Sequence, residues 1–151
     1  LVADISPVKY EHDQSRFIEA MQKIDLSKVE KRSDATLALS KFIEDTSLQS
    51  FFTQSLDLKT KRWKLNLSIL LSEMDAILSF PEIDSKFLGH TLFLKGAKSE
   101  YVCPNHRKII KSLFIKARFA TLKGAGHWLH SEKPREFESA ARLFFSEKEI
   151  F

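Results

Sequence analysis

Apolar residues along the chain recur at two different periods, and the change between them marks its organisation. Leu1 to Ile5 reads as a short buried strand stopped by Pro7. From Gln14 to Ile24 the apolar positions 17, 18, 20, 21 and 24 follow a period near 3.6, so a helix is predicted there. Ser27 and Glu30 have capping-box spacing, which predicts a second helix over 28–43. Thr46 or Ser47 could cap a third, running to Leu56 with Leu48, Phe51, Phe52 and Leu56 on its apolar side. Residues 57–66 read as a polar loop, and a fourth helix is expected from Leu67 to Phe80, ended by Pro81.

Beyond Pro81 the pattern changes. Thr91 to Lys95 reads as a strand ending at Gly96, and Pro104 to Phe114 as a helix with proline in its first turn. Ala117 to Leu122 reads as a second strand. Pro134 to Phe145 reads as a helix with Phe137, Ala140, Ala141, Phe144 and Phe145 on one side. Strand–helix–strand–helix order predicts an α/β fold with a mostly parallel sheet. The expected division is 1–9 as core strand, 10–88 as a helical insertion and 89–151 as C-terminal core strands and helices. An insertion at the carboxyl end of a strand is where a substrate lid would belong.

Composition narrows the classes. Of 151 residues, 43% are hydrophobic, which is enough for a core and argues against disorder. A formal charge of +4 is mild and spread along the chain, so no nucleic-acid partner is expected. A single cysteine, Cys103, excludes an internal disulfide framework. No apolar run is long enough for a transmembrane segment.

The chemistry concentrates in Gly124-Ala125-Gly126-His127-Trp128-Leu129-His130-Ser131, directly after the predicted strand 117–122. His127 therefore sits at a strand's carboxyl end, where open α/β sheets bind ligands, on a turn that two glycines allow to be tight. An imidazole there suits general-base work; the bland alternative is a surface histidine bonded to a loop carbonyl. His130 lies three residues on, but with no third ligand nearby a metal is not expected. A hydrolytic histidine needs an orienting carboxylate. Two candidates stand at strand ends, Asp4 and Glu100, and the residues alone do not rank them. Either could instead be an ordinary turn acid. Lys59 to Lys64 forms a basic cluster around Trp63, read as a solvated loop in preference to a phosphate or membrane contact. The phenylalanines and Trp63 of the helical stretch are read as core in preference to an acyl pocket.

Several blocks occur in a familiar order: Leu1 to Val8 with Asp4-Ile5-Ser6-Pro7, then Arg62 to Leu67, then Leu92 to Gly96 with Ser99-Glu100-Tyr101-Val102, then Gly124 to Pro134. In these blocks the chain resembles the C-terminal portion of the α/β-hydrolase-fold serine esterases, a group with bacterial and animal members. The resemblance covers nearly the whole chain. It implies hydrolysis of a small-molecule carboxylic ester or acylglycerol by a Ser-His-Asp triad. The triad base would fall on His127 and the acid on Asp4, with Glu100 as the alternative. It implies no cofactor, and its animal members suggest mitochondrial residence. Where the family often has Gly-Gly-Asn-Ser, this chain has Gly96-Ala97-Lys98-Ser99, a change expected to affect that loop.

No Gly-x-Ser-x-Gly occurs in the 151 residues. The expectation is that the nucleophile lies upstream of Leu1 and that these 151 residues alone do not hydrolyse esters. The rival expectation is a genuine short, non-catalytic product that acts as an interaction module and needs a partner to cover its exposed sheet edge.

Overall fold

The computed structural model describes residues 1–11 and 14–146. The elements in chain order are β1 (Val2–Ala3), α1 (Ser15–Gln22), α2 (Arg32–Leu39), α3 (Thr46–Thr53), β2 (Leu56–Asp57), β3 (Arg62–Trp63), α4 (Leu67–Ser72), α5 (Met74–Ile77), β4 (Phe87–Gly96), α6 (Arg107–Leu113), β5 (Phe114–Leu122), α7 (Leu129–Glu132) and α8 (Pro134–Ser146). They fall into two compact units. One comprises Leu1–Lys9 with Phe80–Phe151, the other Tyr10–Ser79.

The first unit is built on a parallel sheet in the order β1-β4-β5. Side chains alternate across β4 as a strand's period of two requires. Phe93 faces one way, packed with Val102 and Ile110 and flanked by Val2, Phe114, Ala117 and Phe119. Its neighbour Leu94 faces the other way, onto Ala125 and Leu129 with Leu122, Phe137 and Ala140 around them. Helix α6 thus covers one face and α8 the other, the arrangement that buries both sides of a parallel sheet. Register aligns Ala3 with Leu94 and Gly96 with Leu122, so the carboxyl ends of all three strands lie along one edge. Strand β4 starts at Phe87, inside the stretch assigned from sequence to the helical insertion, with an irregular register between Phe87 and His90.

The second unit is helical, closed by a short antiparallel hairpin of β2 and β3. Four expectations change here. A capping box at Ser27 does not form. Instead Asp25 accepts from the Ser27 amide and caps a single 3-10 turn, Leu26–Lys28. Helix α2 starts at Arg32, and Asp34 accepts from the Lys31 and Glu30 amides at 3.0 Å each. Those two amides hold the Asp34 carboxyl below its ordinary range. A carboxylate placed four residues further on wins because it satisfies two amides at the helix start at once. The cap of α3 is Asp45, accepting from Ser47 and Leu48, and α3 buries Gln49 and Thr53 while Phe51 stays exposed. Gln49 tolerates burial because its amide donates to the Ile43 carbonyl at 2.7 Å. Residues 57–66 hold the hairpin turn, where Asp57 accepts from the Lys59 and Thr60 amides. The expected helix 67–80 is two short ones, α4 and α5, parted at Glu73.

Two substitutions test this packing. Phe93→Ala removes the ring at the centre of one core and is expected to cost about 3–5 kcal/mol. Gly96→Ala puts a Cβ 2.0 Å from the Gly126 carbonyl oxygen and 2.7 Å from that of Ala125, so backbone must move, at about 1–3 kcal/mol. Urea unfolding midpoints check both, and a Gly96→Ala midpoint equal to wild type would show that the 124–126 turn is not held against β4.

Candidate active site

Three segments meet at the carboxyl edge of the sheet. The first is the end of β1. Asp4 is 1% exposed and adopts a positive φ of 46°, a left-handed conformation that aspartate tolerates better than most residues. Its amide donates to the Leu94 carbonyl at 2.9 Å, which continues the ladder one residue past β1. The turn aims its carboxylate along the sheet edge.

The second segment leaves β4. The Gly96 amide donates to Asp4 Oδ1 at 3.1 Å. The Ser99 hydroxyl donates to Asp4 Oδ2 and accepts from the Tyr101 amide at 3.2 Å. Ala97 and Lys98 tie their amides to the carbonyls of Leu122 and Ala125. Replacement of the family's Gly-Asn by Ala97-Lys98 therefore leaves Ser99 engaged, since the pair contributes backbone amides and keeps exposed side chains.

The third segment follows β5. Gly124 takes a φ of 75°, and Gly96 lets the turn come within contact of the strand end. The Gly126 amide donates to Glu132 at 2.8 Å. These constraints deliver His127 with Nδ1 at 2.9 Å from Asp4 Oδ2. A carboxylate only accepts, so Nδ1 is the protonated nitrogen of the neutral ring and Nε2 carries the lone pair. The side chain is 41% exposed, and among the described residues nothing hydrogen-bonds Nε2.

The second and third segments also meet in a ring stack. Tyr101 lies over the imidazole with centroids 3.8 Å apart and planes within 17°. Its carbonyl accepts from Ser6 Oγ at 2.9 Å.

Of the carboxylates weighed from sequence, Asp4 reaches His127. Glu100 is exposed, and its backbone carbonyl accepts from the Cys103 thiol. His130 faces Trp128 and Phe137 as a ring partner. Among the described residues no group of three metal-ligating side chains exists, and no helix is long and apolar enough to cross a membrane. Trp63 packs against the core of the helical unit and donates its indole N–H to Met21. The basic cluster is part of the hairpin turn, with Lys61 bonded to Glu30 at 3.0 Å. Gly96, Ser99 and Tyr101 fall in the blocks that carry the resemblance, but sequence reasoning gave them no role at the site. The signal lay in Gly96 and Ser99 sharing one loop just past a strand end.

No protein-family model matches the chain. It is 36% identical over 154 residues to the mouse sn-1-specific diacylglycerol lipase ABHD11, covering 97% of this chain and 50% of that protein. The zebrafish protein of the same name is 30% identical, over 95% of this chain and 48% of that one. The Escherichia coli esterase YbfF is 26% identical, over 95% and 56%. Among solved structures, a marine microorganism esterase superposes with a TM-score of 0.88 at 32% identity, covering 95% of this chain and 59% of that chain. The chain spans about half the length of the curated relatives it matches. In sequence and in fold, the chain is related to the α/β-hydrolase-fold esterases.

Proposed function

We propose that these residues supply the base and the acid of a serine ester hydrolase, the serine coming from a part of the whole protein outside the 151 residues. The observation that carries this reading is the buried Asp4 carboxylate bonded to His127 Nδ1, which leaves Nε2 as the ring's available acceptor. In the proposed reaction Nε2 takes the proton of the attacking serine hydroxyl as that oxygen bonds to the ester carbonyl carbon. The same proton then passes to the leaving alcohol oxygen as the acyl bond breaks, and water repeats the cycle on the acyl-enzyme. Asp4 fixes the tautomer and offsets the charge of the imidazolium.

Ser99 is unsuited to the nucleophile's role, because its hydroxyl donates to Asp4 and accepts from Tyr101. A carboxylic ester or acylglycerol substrate is supported by the names of the relatives, two lipases and two esterases. We extend the proposal to the helical unit, Tyr10–Ser79, as the part that selects the acyl chain. Its exposed Leu37 and Phe42 give that unit apolar surface.

The test is ester hydrolysis by the full-length protein. His127→Ala is expected to lower turnover roughly 10^4-fold or more, since base and acid roles vanish together. Asp4→Asn is expected to lose about 10^3–10^4-fold, because an amide can hold the ring in the wrong tautomer. Glu100→Gln, an exposed change, should stay within about twofold. A large loss confined to Glu100→Gln would transfer the acid's role to that residue. Near-normal hydrolysis by His127→Ala would overturn the reading, and so would serine-phosphonate-sensitive hydrolysis by the 151-residue chain alone.

A further inference from the structure

We propose that Tyr101 is a positioning residue that sets the plane and reach of the His127 ring. The inference rests on the proposed base role of His127 and adds to it the group that orients the imidazole face. Beyond its covalent Cβ–Cγ link, the ring is held at one edge by the hydrogen bond from Nδ1 to Asp4, which sets the tilt of the ring plane only loosely. Rotation of a half-exposed imidazole would swing Nε2 along an arc. A phenol ring stacked on one face at 3.8 Å and 17° closes half of that arc by steric contact. The overlap also places an aromatic face beside a ring that becomes a cation during proton transfer, an arrangement that favours the cation.

The backbone of Tyr101 is held for this purpose from two sides. Its amide donates to Ser99 Oγ and its carbonyl accepts from Ser6 Oγ. Ser99 is bonded to Asp4, so the element that places the stacking ring is tied to the carboxylate that holds the ring's other end. The segment is further pinned by Lys95, whose ammonium donates to the Val102 carbonyl at 2.7 Å. Asp4, Ser99, Tyr101 and His127 thus form a closed circuit, and His127 is constrained both at Nδ1 and across its face. Tyr101 is not offered as a catalytic residue: it acts through His127.

The test compares Tyr101→Phe and Tyr101→Ala in the full-length protein, with turnover expressed per phosphonate-titrated serine. A fold defect reduces the titratable fraction, whereas mispositioning reduces turnover at each remaining site. Tyr101→Ala is expected to lower kcat per site by about 10- to 100-fold with KM within about threefold, and Tyr101→Phe, which keeps the stack, to stay within about threefold of wild type. Alongside, NMR of the 151-residue chain reads the His127 ring protons. Their ring-current shift should be kept in Tyr101→Phe and lost in Tyr101→Ala. Equal per-site turnover in wild type and Tyr101→Ala would overturn the inference, as would a Tyr101→Phe turnover as low as that of Tyr101→Ala. If the wild-type full-length protein shows no phosphonate-titratable serine, the hydrolase reading fails. The ring-current comparison then decides the stacking role by itself.

Discussion

Burial of the Asp4 carboxylate is the constraint on which the sheet unit depends. A carboxylate that is 1% exposed loses nearly all its hydration, a cost of several kcal/mol unless donors replace the water. The replacements come from two loops far from Asp4 in sequence: the Gly96 amide and the Ser99 hydroxyl after β4, and the His127 ring after β5. They converge only if β1 pairs in parallel with β4 in the observed register, and β4 with β5. A slip of one residue would turn Phe93 and Leu94 onto each other's faces and carry Gly96 away from Asp4. Core packing and polar satisfaction therefore select the same register, which is the agreement between levels that gives a chain one structure.

The same constraint stores some strain. A non-glycine residue in the left-handed region costs on the order of 1 kcal/mol or more. Asp4 keeps it because the Leu94 carbonyl holds the amide while the side chain is held at both oxygens. Every one of these partners sits on a strand end or on the turn directly after it. The geometry of the Asp4–His127 pair is thus inherited from the sheet and does not depend on long side chains finding one another. Gly96 enters for a related reason: its missing Cβ admits the Ala125 and Gly126 carbonyls, and with them the turn that carries the histidine.

Much of this was legible in the sequence, and the rest was hidden for identifiable reasons. The strand–helix–strand–helix order after Pro81 and the location of His127 follow from local patterns, because apolar period and glycine placement act within a few residues. The choice between Asp4 and Glu100 does not. Both are acids beyond strand ends, and only the pairing of β1 with β4, fixed some 90 residues away in the chain, brings Asp4 beside the histidine. The start of α2 was misread because Ser27 and Glu30 have the right spacing, yet Asp25 and Asp34 compete for the same amides with charged acceptors, which bind more strongly. Phe51 fits the helical spacing of Leu48, Phe52 and Leu56, yet it is exposed. Gln49 takes a buried place because the Ile43 carbonyl needs a donor there, a demand set by chain geometry and absent from any periodicity.

The division into two units explains how so exact a site tolerates a long insertion within it. The hydrogen bonds that join Asp4 to Gly96, Ser99 and His127, and Tyr101 to Ser6 and Ser99, all lie within Leu1–Lys9 and the residues after Phe80. Closing a longer loop costs only about 0.6 kcal/mol per doubling when the loop is flexible, and less is left to lose when its two ends are already joined. Here they are joined: the Tyr10 amide donates to the Leu78 carbonyl at 2.8 Å, at the two ends of the helical unit. That unit has its own core, centred on Ala35, Leu39 and Leu56, with Met21 beside them. It can therefore change its surface without altering the register that places the carboxylate against the imidazole.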